Sequence, residues 1–150
     1  VAYPVPVTLS PSRINKFSNC ALAFKYHYID GLPEPETDAI RLGNEVHELL
    51  FERFYWHSWF GTPATRGERL ADSCPPPDGQ IMGCELRLEA ELDGITLVGI
   101  IDRLDLLPSG EMRVVDFKTG KLPKTRDEKN RLHGVMVYAW LVEQMLGVRP

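Results

Sequence analysis

Cysteine is scarce: Cys20, Cys74 and Cys84 are the only three in 150 residues. Their wide, irregular spacing excludes a disulfide framework and a compact zinc site, so reduced thiols are expected. The chain also lacks an apolar run approaching the roughly 18 to 20 residues of a membrane helix. Its first residues, VAYPVPVTLS, lack the charged and apolar regions of a signal peptide. No membrane partner and a cytoplasmic location are therefore expected. Internal repeats and low-complexity tracts are missing, and 43% hydrophobic with 25% charged residues excludes a disordered or fibrous chain. A single domain over residues 1–150 follows. An overall basic excess is missing too, since 17 Lys and Arg stand against 21 Asp and Glu, a net charge of −4. That average hides an asymmetry: residues 118–131, KTGKLPKTRDEKNR, hold six basic and two acidic side chains.

What is present is periodic. Ser10-Pro11 suits an N-cap followed by proline at the first helical position, and Ile14, Phe17, Ala21, Phe24 and Tyr28 then share one face through about Ile29. Gly31 and Pro33 end that helix. Leu42, Val46, Leu49, Leu50 and Phe54 predict a second helix over about 39–57. Residues 57–83, with Gly61, Pro63, Gly67, three consecutive prolines and Asp78-Gly79, read as a loop insertion. Leu86, Leu88, Ala90 and Leu92 then alternate with Glu85, Arg87, Glu89 and Glu91, the period of a half-buried strand. Asp93-Gly94 turns the chain into an apolar strand over Ile95–Leu107, and Pro108-Ser109-Gly110 turns it again into Met112–Lys118. Leu132, Val135, Met136, Ala139, Val142 and Leu146 predict a last helix. The expected fold is α/β in the order α-α-β-β-β-α, with an antiparallel three-strand meander flanked by helices.

Two carboxylates interrupt the apolar strands: Asp102 in GIIDRLDLL and Asp116 in MRVVDFKTG. A buried carboxylate costs several kcal/mol unless a cation or hydrogen bonds compensate. The two-residue step puts Asp116 and Lys118 on one face, and hairpin pairing brings Asp102 alongside. Two carboxylates and a lysine suit Mg²⁺-assisted phosphodiester hydrolysis, with hard oxygen ligands holding the ion and lysine positioning the attacking water. From these three residues alone, an Asp–Lys pair closing a hairpin fits as well.

The wider context resembles the RecB-family nucleases of the PD-(D/E)XK superfamily, most closely the RecB-like exonucleases of actinobacteria. The likeness runs through LSPSRINKFSNCALAFKYHYIDGLPEP, RLGNEVHELLFERF, ELRLEAELDGITLVGIIDRLDLL, VVDFKTGKLP and VYAWLVEQMLGVRP. It implies a restriction-endonuclease-like core with a mixed central sheet. It also implies a metal site built on Gly43 and His47 of the second helix, Asp102 after Gly99-Ile100-Ile101, and Asp116 with Lys118. Mg²⁺ or Mn²⁺ would be held by His47, Asp102, Asp116 and the Phe117 carbonyl. Glu85 and Tyr138 match further positions of the family pattern, although Glu85 reads equally well as the outer face of its strand. The function implied is a metal-dependent DNA nuclease, expected as an exonuclease, in repair, recombination or defence. Its partners would be single-stranded DNA or duplex ends, with a helicase or another repair protein. Lys121, Lys124, Arg126, Lys129 and Arg131 follow the lysine of the D-x-K motif, where a phosphate backbone would approach.

Three departures from the pattern stand out. Many relatives carry Gln-x-x-x-Tyr on the last helix, whereas Gly134 and Tyr138 occupy those positions here. That substitution motivates an alternative: a catalytically weak or inactive DNA-binding module of a repair complex with the same fold. Some relatives hold an iron–sulfur cluster with one cysteine near the first helix and three after the last. Only Cys20 has a counterpart here, so no cluster is expected and Cys20 reads as a small buried hydrophobe. The chain also ends where another family strand usually follows, so either the sheet is smaller than in relatives or the chain is a fragment.

Overall fold

The computed structural model describes residues 6–120 and 125–150, with the backbone alone for 125–131. The elements are β1 (Thr8–Leu9), α1 (Pro11–Asn19), α2 (Ala21–Phe24), α3 (Asp38–Tyr55), α4 (Arg66–Asp72), β2 (Gln80–Leu92), β3 (Ile95–Leu106), β4 (Met112–Val115) and α5 (Thr125–Leu146). The four strands form a mixed α/β sheet flanked by helices. β3 is its hub, pairing with β2 through the Asp93-Gly94 turn and with both other strands. β1 runs parallel to it, Thr8 opposite Thr96. β4 runs antiparallel, with Arg103 opposite Val115 and Leu106 opposite Met112. Among the described residues no helix is long and apolar enough to cross a membrane.

The chain resolves into two compact units. Among the described residues, the first takes 6–35, 87–100 and 125–149. There the Ser10 hydroxyl caps α1 by accepting from the Arg13 N–H at 3.3 Å. The single helix expected through Ile29 is instead broken at Cys20, whose φ of −160° is extended. Its Sγ accepts from the Ala23 N–H at 3.4 Å and starts α2, which continues as a π-helical turn over Lys25–Ile29. Cys20 is exposed, not buried as expected, because this capping role keeps it at the helix junction. Leu141 and Val142 of α5 are fully buried. A Cβ at Gly99 of β3 would fall 2.8 Å from both Leu141 Cδ1 and Tyr138 Cδ1, so only glycine lets helix and strand approach this closely.

Among the described residues, the second unit takes 36–86 and 101–120. Val46, Leu50 and Phe54 lie along one face of α3 and are buried with Ala71 of α4. α4 falls inside the stretch expected to be a loop. Its residues form a helix because Thr65 and Glu68 make a reciprocal capping box, and Arg53 Nη1 donates to the carbonyls of Ala71 and Cys74 at its end. β2 likewise begins at Gln80, ahead of the alternation that announced it. Within it Glu85 has a φ of +48°. Ile81 and Cys84 both pack on the α3 core although three residues apart, a spacing that strict alternation would send to opposite faces. β2 therefore carries a β-bulge here, and Glu85 is the residue it turns. β4 ends at Val115, so Asp116, Phe117 and Lys118 leave the strand and are held by side-chain and backbone contacts instead of a ladder.

Candidate metal centre

Phe117 organises the site. Its ring stacks on Phe54 with centroids 6.1 Å apart and meets the His47 ring edge-on at 6.2 Å. Its N–H donates to Asp102 Oδ2 at 2.5 Å, and its carbonyl lies 3.1 Å from His47 Nε2. A carbonyl can only accept, so Nε2 carries the proton of that bond, and the tautomer with that proton alone has its lone pair at Nδ1, the form that can ligate a metal. Nδ1 lies 3.5 Å from Asp102 Oδ1 and 3.9 Å from Glu85 Oε1.

His47, Glu85 and Asp102 thus bring one nitrogen and two carboxylate oxygens within 4.8 Å of one another. Three elements supply them: α3, the bulge of β2, and β3. The Asp102 side chain is only 9% exposed. Burial pushes its carboxyl above the ordinary value; the Phe117 N–H and His47 oppose the shift, Asp116 adds to it and Lys118 opposes it. A carboxylate that resists ionising, next to a second carboxylate and an open imidazole lone pair, is a set of donors short of positive charge. The residues fit a divalent cation. The carbonyl–imidazole bond is the kind of outer support that fixes the tautomer of a ligating histidine.

Asp116 stands outside that trio, with Oδ1 2.6 Å from Lys118 Nζ. The two residues line one cavity with Thr119 and Gly120. Gly43 lies one turn before His47, and a methyl group there would meet Thr119 Oγ1 at an ordinary 3.6 Å. The Phe117 carbonyl, expected as a metal ligand, faces His47 Nε2. Tyr138 belongs to the other unit, against Gly99. Lys121 and Lys124 lie outside the described residues, as do the side chains of Arg126, Lys129 and Arg131. Sequence reasoning passed over Arg103 and Asp105, which are 4% and 0% exposed beneath this site. Their signal was an i, i+2 pair of opposite charges inside an apolar strand.

Residues 8–74 and 65–150 match the family model of the PD-(D/E)XK nuclease superfamily. The chain belongs to that superfamily. Over 72 residues, 48% of its length, this superfamily member is also 39% identical to the Gene 69 protein of Mycobacterium phage D29. The match covers 23% of the phage protein, so the chain spans about a quarter of that relative.

Proposed function

We propose that this superfamily member is a metal-dependent deoxyribonuclease of the RecB type. It would hydrolyse phosphodiester bonds from single-stranded or duplex DNA ends, in repair, recombination or defence, with a helicase or another repair protein as partner. The observation that carries the reading is the convergence of His47, Glu85 and Asp102 on a common centre in the unit that also holds the Asp116–Lys118 pair. His47, Glu85 and Asp102 would hold Mg²⁺ or Mn²⁺, with Asp116 as the further ligand the sequence suggests; the Phe117 carbonyl, also expected as a ligand, instead supports the ring at His47 Nε2. When bound, the cation supplies Lewis-acid stabilisation of the phosphate. Lys118 orients the attacking water and offsets the charge that develops on the phosphate oxygens. Asp116 holds that ammonium group in place, and burial of Asp102 strengthens every charge interaction around it.

The test is cleavage of end-labelled single-stranded and duplex DNA with Mn²⁺ or Mg²⁺, against covalently closed circles and a chelator control. Metal-dependent loss of the linear substrates, with the circles intact, is the expected result. Asp116→Asn or Lys118→Ala should lower the rate by about 10²- to 10³-fold and leave most DNA affinity. Wild-type cleavage by either variant would move the activity to another site. Gly134 motivates the second reading, a DNA-binding module without catalysis, which metal-independent DNA binding with no cleavage would establish.

A further inference from the structure

Under the candidate metal centre lies a buried ion pair that the proposed chemistry does not use. Arg103 and Asp105 of β3 are 4% and 0% exposed. Arg103 Nε and Nη2 both donate to Asp105 Oδ2, at 3.2 and 2.9 Å. Arg103 Nη1 has no hydrogen-bond partner, and neither has Asp105 Oδ1, which lies 2.9 Å from Nε but out of line with its N–H. A buried pair with two orphaned polar atoms is a poor source of stability, because desolvation offsets most of its attraction. Replacing such a pair by two apolar side chains of similar volume is often neutral or stabilising.

The guanidinium group also touches the site's organising residue. Its carbon lies 4.4 Å from the centroid of Phe54 and 5.7 Å from that of Phe117, the two rings that stack on each other. Phe117 in turn donates to Asp102 and accepts from His47. A continuous chain of contacts therefore runs from Asp105 through Arg103 and the Phe117 ring to two of the three candidate ligands, all within one unit.

We infer that Arg103, held by Asp105, is a positioning residue for the metal centre. The planar cation fixes the Phe117 ring, and the Phe117 backbone then sets the Asp102 carboxylate and the His47 tautomer before any ion arrives. The inference rests on the metal-site reading for its consequence, but the ordering of Phe117 is measurable without metal.

The experiment pairs two measurements on the whole chain: Mn²⁺ affinity by titration calorimetry, and hydrogen exchange of the Phe117 amide in the metal-free protein. The double substitution Arg103→Leu with Asp105→Leu removes both charges and keeps the site apolar, a replacement that buried pairs commonly tolerate. It should fold, lose about 10- to 100-fold in Mn²⁺ affinity and exchange the Phe117 amide faster. Arg103→Lys, which keeps the charge without the planar fork, should move both readouts the same way. A folded variant with wild-type Mn²⁺ affinity, or with an unchanged Phe117 amide, overturns the inference. So does failure of both variants to fold, which would assign the pair to stability alone. If the wild-type chain takes up no Mn²⁺, the metal reading falls and the Phe117 amide alone decides whether Arg103 positions it.

Discussion

Asp102 is the residue on which folding and metal binding oppose each other. Burial holds its carboxyl above the ordinary value of 3.8, so the folded chain binds that proton more tightly than the unfolded chain does. Metal-free protein should therefore keep full stability from this group below 3.8 and lose it as pH rises through the elevated folded value. Asp102→Asn has no proton to lose and still offers an oxygen to the Phe117 N–H, so its stability relative to wild type should climb across that window. Urea unfolding at stepped pH in chelator checks this, and a constant difference between the two proteins would mean the carboxylate is not perturbed. Saturating divalent cation favours the ionised form, so its stabilising effect should grow with pH over the same window. The donor set also bears on which ion is taken. An imidazole nitrogen suits Mn²⁺ better than Mg²⁺, which prefers oxygen ligands and retains its waters. Mn²⁺ should therefore reach half-maximal binding at a lower concentration than Mg²⁺, and calorimetric titrations with each ion measure the order directly.

At the scale of elements, the bulge of β2 is what brings Glu85 to the centre. A non-glycine residue at a φ of +48° carries about 1–2 kcal/mol of backbone strain. Glu85→Gly should relieve it, raising the thermal midpoint of the metal-free protein while weakening Mn²⁺ binding. Glu85→Gln keeps the strain and removes the charge, so it should weaken binding with no gain in midpoint. A glycine variant no more stable than the glutamine variant would separate the bulge from the site. This bulge could not be read from the sequence, because alternation after Glu85 is regular and the slip before it shows only when Ile81 and Cys84 pack on α3. The second helix and the two hairpins were legible, since an apolar stripe on α3 and Asp-Gly between alternating runs each admit few solutions. Asp102 and Asp116 stood out for the opposite reason, as charges where the period demands apolar side chains, and Lys118 through its two-residue step from Asp116. His47 on residue pattern alone was ambiguous, and the family likeness singled it out. α4 escaped notice because Pro63 and Gly67 mask a seven-residue helix, although Thr65 and Glu68 spelled its capping box. The break at Cys20 interrupts a stripe of apolar residues that runs on unchanged to Tyr28, so no local signal marks it.

For the molecule as a whole, the charge balance sets a conflict that only a measurement of salt dependence resolves. A net charge of −4 repels a polynucleotide, while residues 118–131 concentrate six basic side chains against two acidic ones, leaving 11 basic and 19 acidic elsewhere. If the proposed DNA substrate is held by that run, local attraction must outweigh the average field over the roughly 8–10 Å that screening allows near physiological salt. Each lysine or arginine that neutralises a phosphate releases counterions, so log affinity should fall with log salt at a slope of about −0.7 to −0.9 per contact. Lys121→Ala, Lys124→Ala and Arg126→Ala together should flatten that slope by roughly two to three units and weaken all sequences alike, since phosphate contacts carry no base information. The acidic remainder should make the fall shallower at low salt, where its repulsion is least screened and added salt relieves it. Fluorescence anisotropy of a labelled single strand across a salt series reads slope and affinity together. An unchanged slope in the triple variant would mean that the run is a solvated segment, and the DNA path would then have to follow other cations of the chain.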